Sequence, residues 1–443
     1  MKKILLSIVF FSFLVVLKVS AQTEKCGTVQ EWNESKVNDP NVEKRMNELE
    51  AFTKKYVAEH LQDFPKKNTG TNNSRNQRSL IITIPVVVHV IHTGEPIGTE
   101  SNISDQQVMS QIDVLNEDFR LLNSDSLPIS HPFYPYTADC LIEFCLAQQD
   151  PFGNATNGIT RTESSLPYFT KLQMMQGFPK IDTLSIGCGN WDPYHYLNLW
   201  TVKEEPDSGL LGVAKFPSEL AAYPKGDGVV FRYDVFGRVG TLAPSYNKGR
   251  TASHEIGHWL NLRHIWGDDV CGDDSISDTP PQEASNSGCP TFPYNANNTC
   301  GSDQNGEMYM DYMDYTDDSC TVMFTAEQAM RMITTLFGPR SEIQNSIACS
   351  TPSAISTITA ENNIIQVYPN PSKENVYVRI NCTDRNFRTK LILRNELGAE
   401  LKNISLNNTD TYKLDVSSLP CGIYFLDASV NDKRVSKKVI VAK

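Results

Sequence analysis

The stretch HEIGHWLNLRH, residues 254–264, decides how the central part of this chain folds. His254 and His258 are four residues apart, so a helix places both imidazoles on one face, where they can bind one metal ion. His264 lies ten residues after His254, about 15 Å away along a straight helix. The helix must therefore end before His264, and Asn261 is the best residue after glycine for the left-handed turn that ends it. Three histidine ligands leave one tetrahedral position for water, which is typical of a catalytic zinc site.

Glu255 follows the first histidine and provides the acid–base group of the predicted site. Zinc lowers the pKa of a bound water from 15.7 to about 7, and a neighbouring carboxylate can accept the proton and pass it to a leaving amine. The stretch therefore predicts hydrolysis by a zinc-activated water with Glu255 as general base. The alternative is an exposed polar helix face without metal. The remaining histidines considered have no ligand spacing and are expected to be structural: His89, His92, His131 and His195.

Composition limits the possible functions. The chain has 443 residues, 40% of them hydrophobic and 21% charged, with a formal net charge of −12. This length predicts two or three folded units. The net negative charge argues against nucleic acid as a partner, because binding to phosphate groups requires a basic surface. The 11 cysteines are many for a cytosolic enzyme and indicate an oxidising compartment.

The N-terminal region reads as two removable segments. Residues 1–21 combine Lys2 and Lys3, an apolar run too short to span a bilayer, and small residues before Gln22, which predicts a cleaved signal peptide. Residues 22–79 are polar and are predicted to form a pro-segment. Within it, apolar residues at helical spacing over 42–64 indicate an amphipathic helix. The linker that follows exposes Arg75 and Arg78 to proteolysis. No transmembrane segment is expected in the mature chain.

The rest of the chain divides into two folded regions. Residues 80–350 mix strand-like runs with a helix capped by Ser104, which predicts an α+β domain. Residues 351–363 are predicted to be a linker. Residues 364–443 contain short alternating runs separated by turn residues and predict a small antiparallel β-sandwich.

With the histidine motif at 254–264, the chain resembles the metzincin zinc metallopeptidases. The sequence MDYMDY at 310–315, followed by Cys320, resembles the Met-turn region of the pappalysin family within that group. The resemblance implies a metzincin-like catalytic domain with a twisted mixed sheet. It also implies that Met313 forms an apolar floor beneath the zinc ligands and that Tyr315 donates a hydrogen bond to the oxyanion. Met310 is an alternative register, and a buried core role is the alternative for Tyr315.

The loop between the zinc motif and the Met-turn contains four cysteines, for which the residues alone leave three pairings open. The resemblance implies the pairs Cys271 with Cys300 and Cys289 with Cys320. It also implies calcium in this loop, with Asp274, Asp278 and Thr279 as ligands, since hard oxygen donors suit Ca²⁺. The alternative is that these acids are solvated turn residues.

Cys26 lies in the predicted pro-segment, just before a glycine. A thiolate is a strong zinc ligand, so Cys26 at the open coordination position would displace the catalytic water. Some pappalysin relatives carry this cysteine-switch arrangement, and the resemblance implies latency that ends on cleavage near Arg75 or Arg78. The alternative is an incidental or disulfide-bonded cysteine.

The tail resembles the type A sorting domain of the type IX secretion system. The matching segments are VYPNP at 367–371, LDVSSLPCGIY at 414–424 and KKVIVAK at 437–443. The resemblance implies that the secretion machinery is a partner and that the protein is secreted or attached to the cell surface. A carbohydrate-binding or adhesion module is the rival interpretation. Cys382 and Cys421 share this region and could pair.

Together these features predict a secreted zinc endopeptidase that is made as a zymogen and acts on proteins or peptides. The alternative from another class is a surface adhesion or substrate-binding protein on a degenerate peptidase fold, against which the intact Glu255 argues. Relatives that cleave before Arg or Lys carry an acidic residue near the cysteine after the Met-turn. Here Asp317 and Asp318 are close to Cys320, but Ser319 immediately precedes it.

Overall fold

The structure, a computed structural model, describes most of the chain after the signal region. The described residues are 25–61, 81–175, 190–295, 300–301, 305–351, 365–380, 388–395, 399–407, 411–430 and 433–442. They belong to two units that divide between Pro352 and Ser353. The predicted signal peptide, both proposed cleavage sites and Cys382 lie outside the described residues.

The first unit is built around one mixed sheet. Its strands are β1 Ile82–His92, β2 Ile142–Leu146, β3 Ile159–Glu163, β4 Leu197–Val202, β5 Gly212–Ala214 and β6 Val229–Arg232. The order is β2-β1-β4-β6-β5, and β3 continues beside β1 beyond the end of β2. Strand β1 is buried along nearly its whole length, as expected for a parallel strand covered on both faces. Strand β5 is antiparallel to β6 and ends the sheet.

Within the described residues, six α-helices accompany this sheet. They are α1 Thr28–Asn38, α2 Val42–His60, α3 Asp105–Phe119, α4 Lys171–Met175, α5 Arg250–Trp259 and α6 Ala326–Phe337. Short 3₁₀ helices cover Tyr134–Tyr136, Pro224–Gly226, Tyr233–Val235 and Ser341–Asn345. Helix α3 begins as predicted at Ser104, whose side chain accepts a hydrogen bond from the Gln107 amide. Helix α6 begins with a capping box between Thr325 and Gln328. Helix α5 carries the histidine motif and is buried along its entire length.

A buried ion pair fixes the end of α5 against the rest of the unit. Both terminal nitrogens of Arg340 donate to the Asp227 carboxylate, at 2.7 and 2.8 Å, and its Nε donates to the Trp259 carbonyl. The Trp259 indole donates to the same carboxylate at 2.9 Å. Arg340 and Asp227 are 1% exposed, so each charge depends on the other for compensation.

The second unit contains two antiparallel sheets. Its strands are β7 Ile365–Tyr368, β8 Asn375–Ile380, β9 Arg388–Asn395, β10 Glu400–Asn407, β11 Thr411–Asp415, β12 Gly422–Val430 and β13 Lys433–Val441. The sheet orders are β10-β9-β12-β13 and β11-β8-β7. In β8 the buried residues Val376, Val378 and Ile380 alternate with more exposed ones, which is the pattern of a strand with one face on a core. This unit confirms the predicted small β-sandwich, and the first unit confirms the α+β prediction.

The sequence pattern located several of the main elements but missed others, both short and long. The amphipathic helix predicted over 42–64 is α2, which buries Val42, Met46 and Leu49. The elements that were not predicted are strands β3, β5, β7 and β10 and helices α1, α4 and α6. Among the described residues, no helix combines the length and apolar character needed to cross a membrane.

The Arg340–Asp227 pair gives a testable prediction of stability. Substituting Asp227→Asn keeps the side-chain shape but leaves a buried guanidinium without its counterion, so the free energy of unfolding should fall by about 3 kcal/mol. Tryptophan fluorescence in urea measures this, because all five tryptophans precede residue 267. The matched control is Glu117→Gln, whose carboxylate forms a two-point pair with Arg238 on the surface. This control should cost less than about 1 kcal/mol, and equal losses in the two variants would contradict the account.

Candidate active site

The three histidines of the motif converge at one point. The Nε2 atom of His258 lies 3.1 Å from the Nε2 atom of His254 and 3.1 Å from that of His264. His254 and His258 come from the same face of α5, and His264 approaches from the chain that follows the helix. All three side chains are buried. The four-residue separation of His254 and His258 and the predicted end of the helix before His264 together produce this arrangement.

A second set of hydrogen bonds orients each ring. The Nδ1 atom of His254 bonds the Tyr312 carbonyl at 2.7 Å, and that of His258 bonds the Leu262 carbonyl at 2.8 Å. The Nδ1 atom of His264 bonds the Asp268 carboxylate. An Nδ1 proton donated in this way leaves the Nε2 lone pair directed at the shared centre. Burial is the main cause that lowers the pKa of His254 to about 3, which favours the neutral imidazole that binds metal.

The turn after α5 brings His264 back towards the helix. Asn261 has a φ of 78°, in the left-handed region that the sequence predicted for it. The Leu262 amide then donates to the Gly257 carbonyl at 2.8 Å and closes the helix end. Met313 lies under the helix, and a Cβ added at Gly257 would be 2.5 Å from the Met313 sulfur. A side chain at residue 257 would therefore displace the Met313 thioether from this position. Met310 instead joins a separate cluster with Phe133, so Met313 is the methionine beside the histidines.

Cys26 provides a fourth donor atom at the same centre. Its Sγ atom and one nitrogen from each of His254, His258 and His264 all lie within 4.8 Å of one another. Within the described ranges, this is the one set of three or more His, Cys, Asp or Glu side chains able to hold an ion. Tetrahedral zinc with Zn–N bonds of 2.0–2.1 Å places its nitrogen ligands about 3.3 Å apart. The observed nitrogen separations fit such an ion, as does the donor set of three imidazoles and a thiol.

Glu255 faces the N-terminal segment. Its Oε2 atom accepts a hydrogen bond from the Thr28 hydroxyl at 2.9 Å and one from the Cys26 thiol at 3.4 Å. Burial raises the pKa of Glu255 to about 8, and the bonds from Cys26 and Thr28 oppose this rise. A Cβ added at Gly212 would be 2.7 Å from the Glu255 side chain, so the edge strand β5 lies directly against this carboxylate.

The segment 25–28 lies along β5 as an additional strand-like piece. The Gly27 amide donates to the Gly212 carbonyl at 3.0 Å, and the Leu211 amide donates to the Lys25 carbonyl at 2.7 Å. This pairing is parallel at Cys26 and Gly212. The N-terminal segment therefore reaches the histidines through backbone hydrogen bonds as well as through its side chains.

Tyr315 lies beside the histidines, as the resemblance implied. Its ring centroid is 5.7 Å from that of His254 and 4.9 Å from that of His264. Its hydroxyl is 3.5 Å from the Cys26 carbonyl oxygen. Trp266 stacks on His264 at 4.3 Å and contacts Tyr315 edge-on. Tyr315 thus contacts the main chain of the segment that covers the centre.

Lys25 enters the pocket next to the histidines. Its ammonium donates to the Tyr315 carbonyl at 2.7 Å and lies 5.0 Å from the centre of the Tyr246 ring. Burial lowers the pKa of Lys25, whereas the charges of Asp317, Asp314 and Asp318 raise it. With Lys25 in place, the pocket retains a cavity of about 30 Å³. The pocket therefore holds a basic side chain whose charge is favoured by nearby aspartates, two of which, Asp314 and Asp318, line the pocket.

The loop between the zinc motif and the Met-turn is held by two disulfides. They join Cys271 to Cys300 and Cys289 to Cys320, the pairs that the resemblance implied. A third disulfide, between Cys145 and Cys349, connects β2 to the end of the first unit and was not predicted. The number of cysteines gives no information about which cysteines pair.

The predicted calcium ligands lie in the same loop. Asp274 accepts hydrogen bonds from the Ile276 amide and, at 2.9 Å, from the Thr279 hydroxyl. Asp278 accepts from the Glu327 amide at the start of α6 through one oxygen. Its other oxygen, Oδ1, is buried and accepts no hydrogen bond from the described residues. Burial raises the pKa of Asp274 to about 7 and that of Asp278 to about 6.

The remaining histidine of the core is structural. His89 on β1 bonds Thr160 at 2.8 Å and Asn198 at 3.1 Å through its two ring nitrogens. Sequence reasoning missed Lys25, Thr28 and Gly212 at the site. Lys25 and Thr28 flank Cys26 in the sequence, so their proximity to the cysteine was the available signal.

Comparison with known proteins agrees with this geometry. Residues 183–337 match the family described as pregnancy-associated plasma protein-A, the pappalysin peptidases. An extracellular metalloprotease from Colletotrichum graminicola is 30% identical over 281 residues, which cover 62% of this chain and 84% of that relative. The chain belongs to the pappalysin family. This pappalysin is a metalloendopeptidase, as the histidine motif predicted.

Solved structures of related pappalysins cover both forms of one enzyme. Mature mirolysin from Tannerella forsythia, in complex with a cleaved peptide, is 46% identical and covers 60% of this chain and 96% of its own, with a TM-score of 0.54. A promirolysin variant from the same organism is 40% identical and covers 73% of this chain and 97% of its own, with a TM-score of 0.61. Residues 366–442 match a secretion system C-terminal sorting domain. The pappalysin described here therefore carries a sorting domain after its peptidase unit.

Proposed function

We propose that this pappalysin is a secreted zinc endopeptidase that is synthesised as a latent precursor, with Glu255 as its general base. The observation that carries the proposal is the convergence of His254, His258 and His264 on one point beside Glu255. Cys26 supplies a fourth donor there. The similarity to both mature mirolysin and promirolysin supports a precursor that loses an N-terminal segment.

The chain's own residues divide the chemistry among them. Zinc held by the three imidazoles supplies Lewis acidity towards the scissile carbonyl and lowers the pKa of water. Glu255 takes the proton of the attacking water at its carboxylate and returns it to the leaving amine. Tyr315 donates a hydrogen bond from its hydroxyl to the developing oxyanion. Asp268 and the carbonyls of Tyr312 and Leu262 keep the imidazoles in the tautomer that binds metal.

The substrate class follows from the pocket that Lys25 occupies. The charges of Asp317, Asp314 and Asp318 raise the pKa of the Lys25 ammonium, and Tyr246 contributes its ring face. A substrate side chain that enters this pocket after Lys25 leaves meets the same charges, so peptides with Lys or Arg next to the scissile bond are favoured. Arg250 also lines the pocket, but Asp118 and Asp125 compensate its charge.

The central prediction concerns Glu255. The substitution Glu255→Gln keeps the side-chain size but removes the base, so cleavage by the processed enzyme should fall about 10²–10⁴-fold. Cleavage of a peptide library, read by mass spectrometry, measures both the rate and the preference for bonds next to Lys or Arg. Zinc content, measured on the same protein, should stay at one ion per chain because the three histidines remain.

Chelation is the matched control for that experiment. Removing the metal should abolish cleavage by the parent enzyme, and adding zinc should restore it. If Glu255→Gln bound zinc and cleaved the library as fast as the parent, Glu255 would not be the base. A processed parent that bound zinc but cleaved nothing would instead favour the binding-protein alternative.

We also propose that Cys26 and Thr28 maintain latency. The Cys26 thiol occupies the position needed by the catalytic water, and the Thr28 hydroxyl binds the carboxylate that must act as base. Thr28 also accepts a hydrogen bond from the Ala214 amide at 2.8 Å, which connects it to β5. A precursor held in this way has neither the open coordination position nor a free base.

Latency can be tested on the unprocessed chain. Cys26→Ala should raise its peptide cleavage by roughly tenfold or more, because about 1.4 kcal/mol of lost binding already shifts the equilibrium tenfold. Thr28→Val should give a smaller rise, since it removes only the hydroxyl. Cys140→Ala, at another buried free cysteine, is the control and should leave latency unchanged. A Cys26→Ala precursor as inactive as the parent would disprove the switch.

We propose that the loop holds Ca²⁺ through Asp274, Asp278 and Thr279. The buried Asp278 Oδ1 without a hydrogen-bond partner among the described residues supports a cation there. Calcium at about a hundredfold excess over its Kd should raise Tm by roughly 5–10 °C. Asp278→Asn should remove this rise, whereas the exposed Asp192→Asn should keep it, as measured by calorimetry with calcium or EGTA. An equal rise in both variants would contradict the assignment.

A further inference from the structure

One carboxylate of α2 compensates two arginines of the peptidase unit. Glu50 accepts hydrogen bonds from both terminal nitrogens of Arg331, one of them at 2.9 Å. The guanidinium of Arg263 lies 3.7 Å from the same carboxylate. The Arg331 side chain is 1% exposed, and its Nε donates to the Asn261 carbonyl. A buried guanidinium requires a counterion, and Glu50 provides it.

Loss of the pro-segment would remove that counterion. This step rests on the proposed function, in which α2 leaves with the pro-segment. Among the described residues, no other carboxylate forms an ion pair with Arg331 or Arg263. The charge of Arg331 lowers the pKa of Asp274, but the two side chains form no ion pair. Processing would therefore leave two guanidinium groups on this surface without the carboxylate that pairs with them in the unprocessed chain.

Apolar side chains also lie under α2. The Tyr56 ring of α2 stacks on Phe337 with centroids 5.8 Å apart, and Phe52 contacts the backbone at Gly338. On one side of α2 lies an open groove of about 470 Å³, lined in part by Pro217, Leu220 and Phe337. On the other side lies a groove of about 530 Å³, where Ile276 and Arg331 line the wall together with polar residues, namely Asp273, Ser275, Ser277 and Glu327. The surface is therefore wider than the helix that covers it.

We infer that the surface under α2 is, in the processed enzyme, a docking site for an amphipathic helix of a partner protein. The helix would present one carboxylate beside apolar side chains, as α2 presents Glu50 on the same face as Met46 and Val57. We call this surface the Arg331 groove and define it by Arg263, Arg331, Phe337, Pro217 and Leu220. Charge complementarity and apolar walls are the features of helix-in-groove recognition.

The Arg331 groove is separate from the catalytic pocket. Neither Arg331 nor Arg263 lines the pocket beside the histidines. A helix bound in the groove leaves the zinc position open, so a substrate carrying such a helix is held near the site while a different segment is cleaved. The groove thereby raises the local concentration of the scissile segment.

The first test uses a synthetic peptide with the sequence of residues 42–61. It lacks Lys25, Cys26 and Thr28, so it has none of the groups that reach the histidines. Fluorescence anisotropy should show saturable binding to the processed enzyme and none to the unprocessed chain, where α2 fills the groove. A Glu50→Gln peptide should bind at least about tenfold more weakly. The matched control is Glu48→Gln, an exposed glutamate of the same helix whose ion pair is with Lys44. It should change the Kd less than about twofold.

On the enzyme side, Arg263→Gln should weaken binding of the parent peptide and have no further effect on the Glu50→Gln peptide. Equal effects of Glu50→Gln and Glu48→Gln would overturn the proposal, as would absence of binding. Peptide cleavage and the mass of the processed chain are measured on the same batch. If a batch cleaves substrate but does not bind the peptide, or retains residues 42–61, the groove proposal is refuted and the proposed function stands. A batch without zinc-dependent cleavage refutes the proposed function.

The second test identifies the occupant. A fluorogenic peptide substrate is extended through a flexible linker with the sequence of residues 42–61. A groove that recruits substrates should lower its KM about tenfold with kcat unchanged, and Glu50→Gln in the extension should cancel the effect. If the free peptide binds but the extended substrate has an unchanged KM, the groove serves only the released pro-segment and the partner assignment is wrong.

Discussion

The site depends on the way the chain leaves helix α5. A helix alone can direct two histidines at one point, but the third ligand requires the chain to reverse within a few residues. The left-handed Asn261, with a φ of 78°, and the hydrogen bond from Leu262 to Gly257 produce this reversal. The Asn261 carbonyl in the same turn accepts a hydrogen bond from Arg331, and the Met313 sulfur lies against Gly257 just before the turn. The ligand geometry, the floor beneath it and the anchor of the pro-segment therefore depend on one helix end.

The N-terminal segment contacts the same histidine centre, and in the proposed function this contact keeps the enzyme inactive. Backbone pairing with β5 brings the Cys26 sulfur to the histidines, and Thr28 binds the Glu255 carboxylate. Farther along, α1 and α2 add ion pairs, with Glu31 bonded to the buried Lys215 and Glu50 bonded to Arg331. Latency in this account is a sum of several separated contacts. In the proposed activation, cleavage after α2 would remove the covalent connection that keeps these contacts together.

The sequence was informative where the chemistry demands fixed spacing. The histidine motif, the turn at Asn261 and the amphipathic helix α2 all have periodicities or residue types with few structural solutions. Strand β5 has three residues and no distinctive pattern, so its role against Glu255 depends on tertiary contacts. The Cys145–Cys349 disulfide spans 204 residues, a separation that no local pattern encodes. The Arg331–Glu50 pair joins residues 281 positions apart and could not be predicted for the same reason.

The central claim is that one tri-histidine zinc centre serves both catalysis and latency. Zinc K-edge X-ray absorption spectroscopy on the unprocessed and processed chains tests it most directly. We predict three nitrogen donors and one sulfur donor around zinc before processing. After processing the sulfur should be replaced by oxygen, and Cys26→Ala should show no sulfur in either form. A zinc centre without sulfur in the unprocessed parent chain would contradict the account.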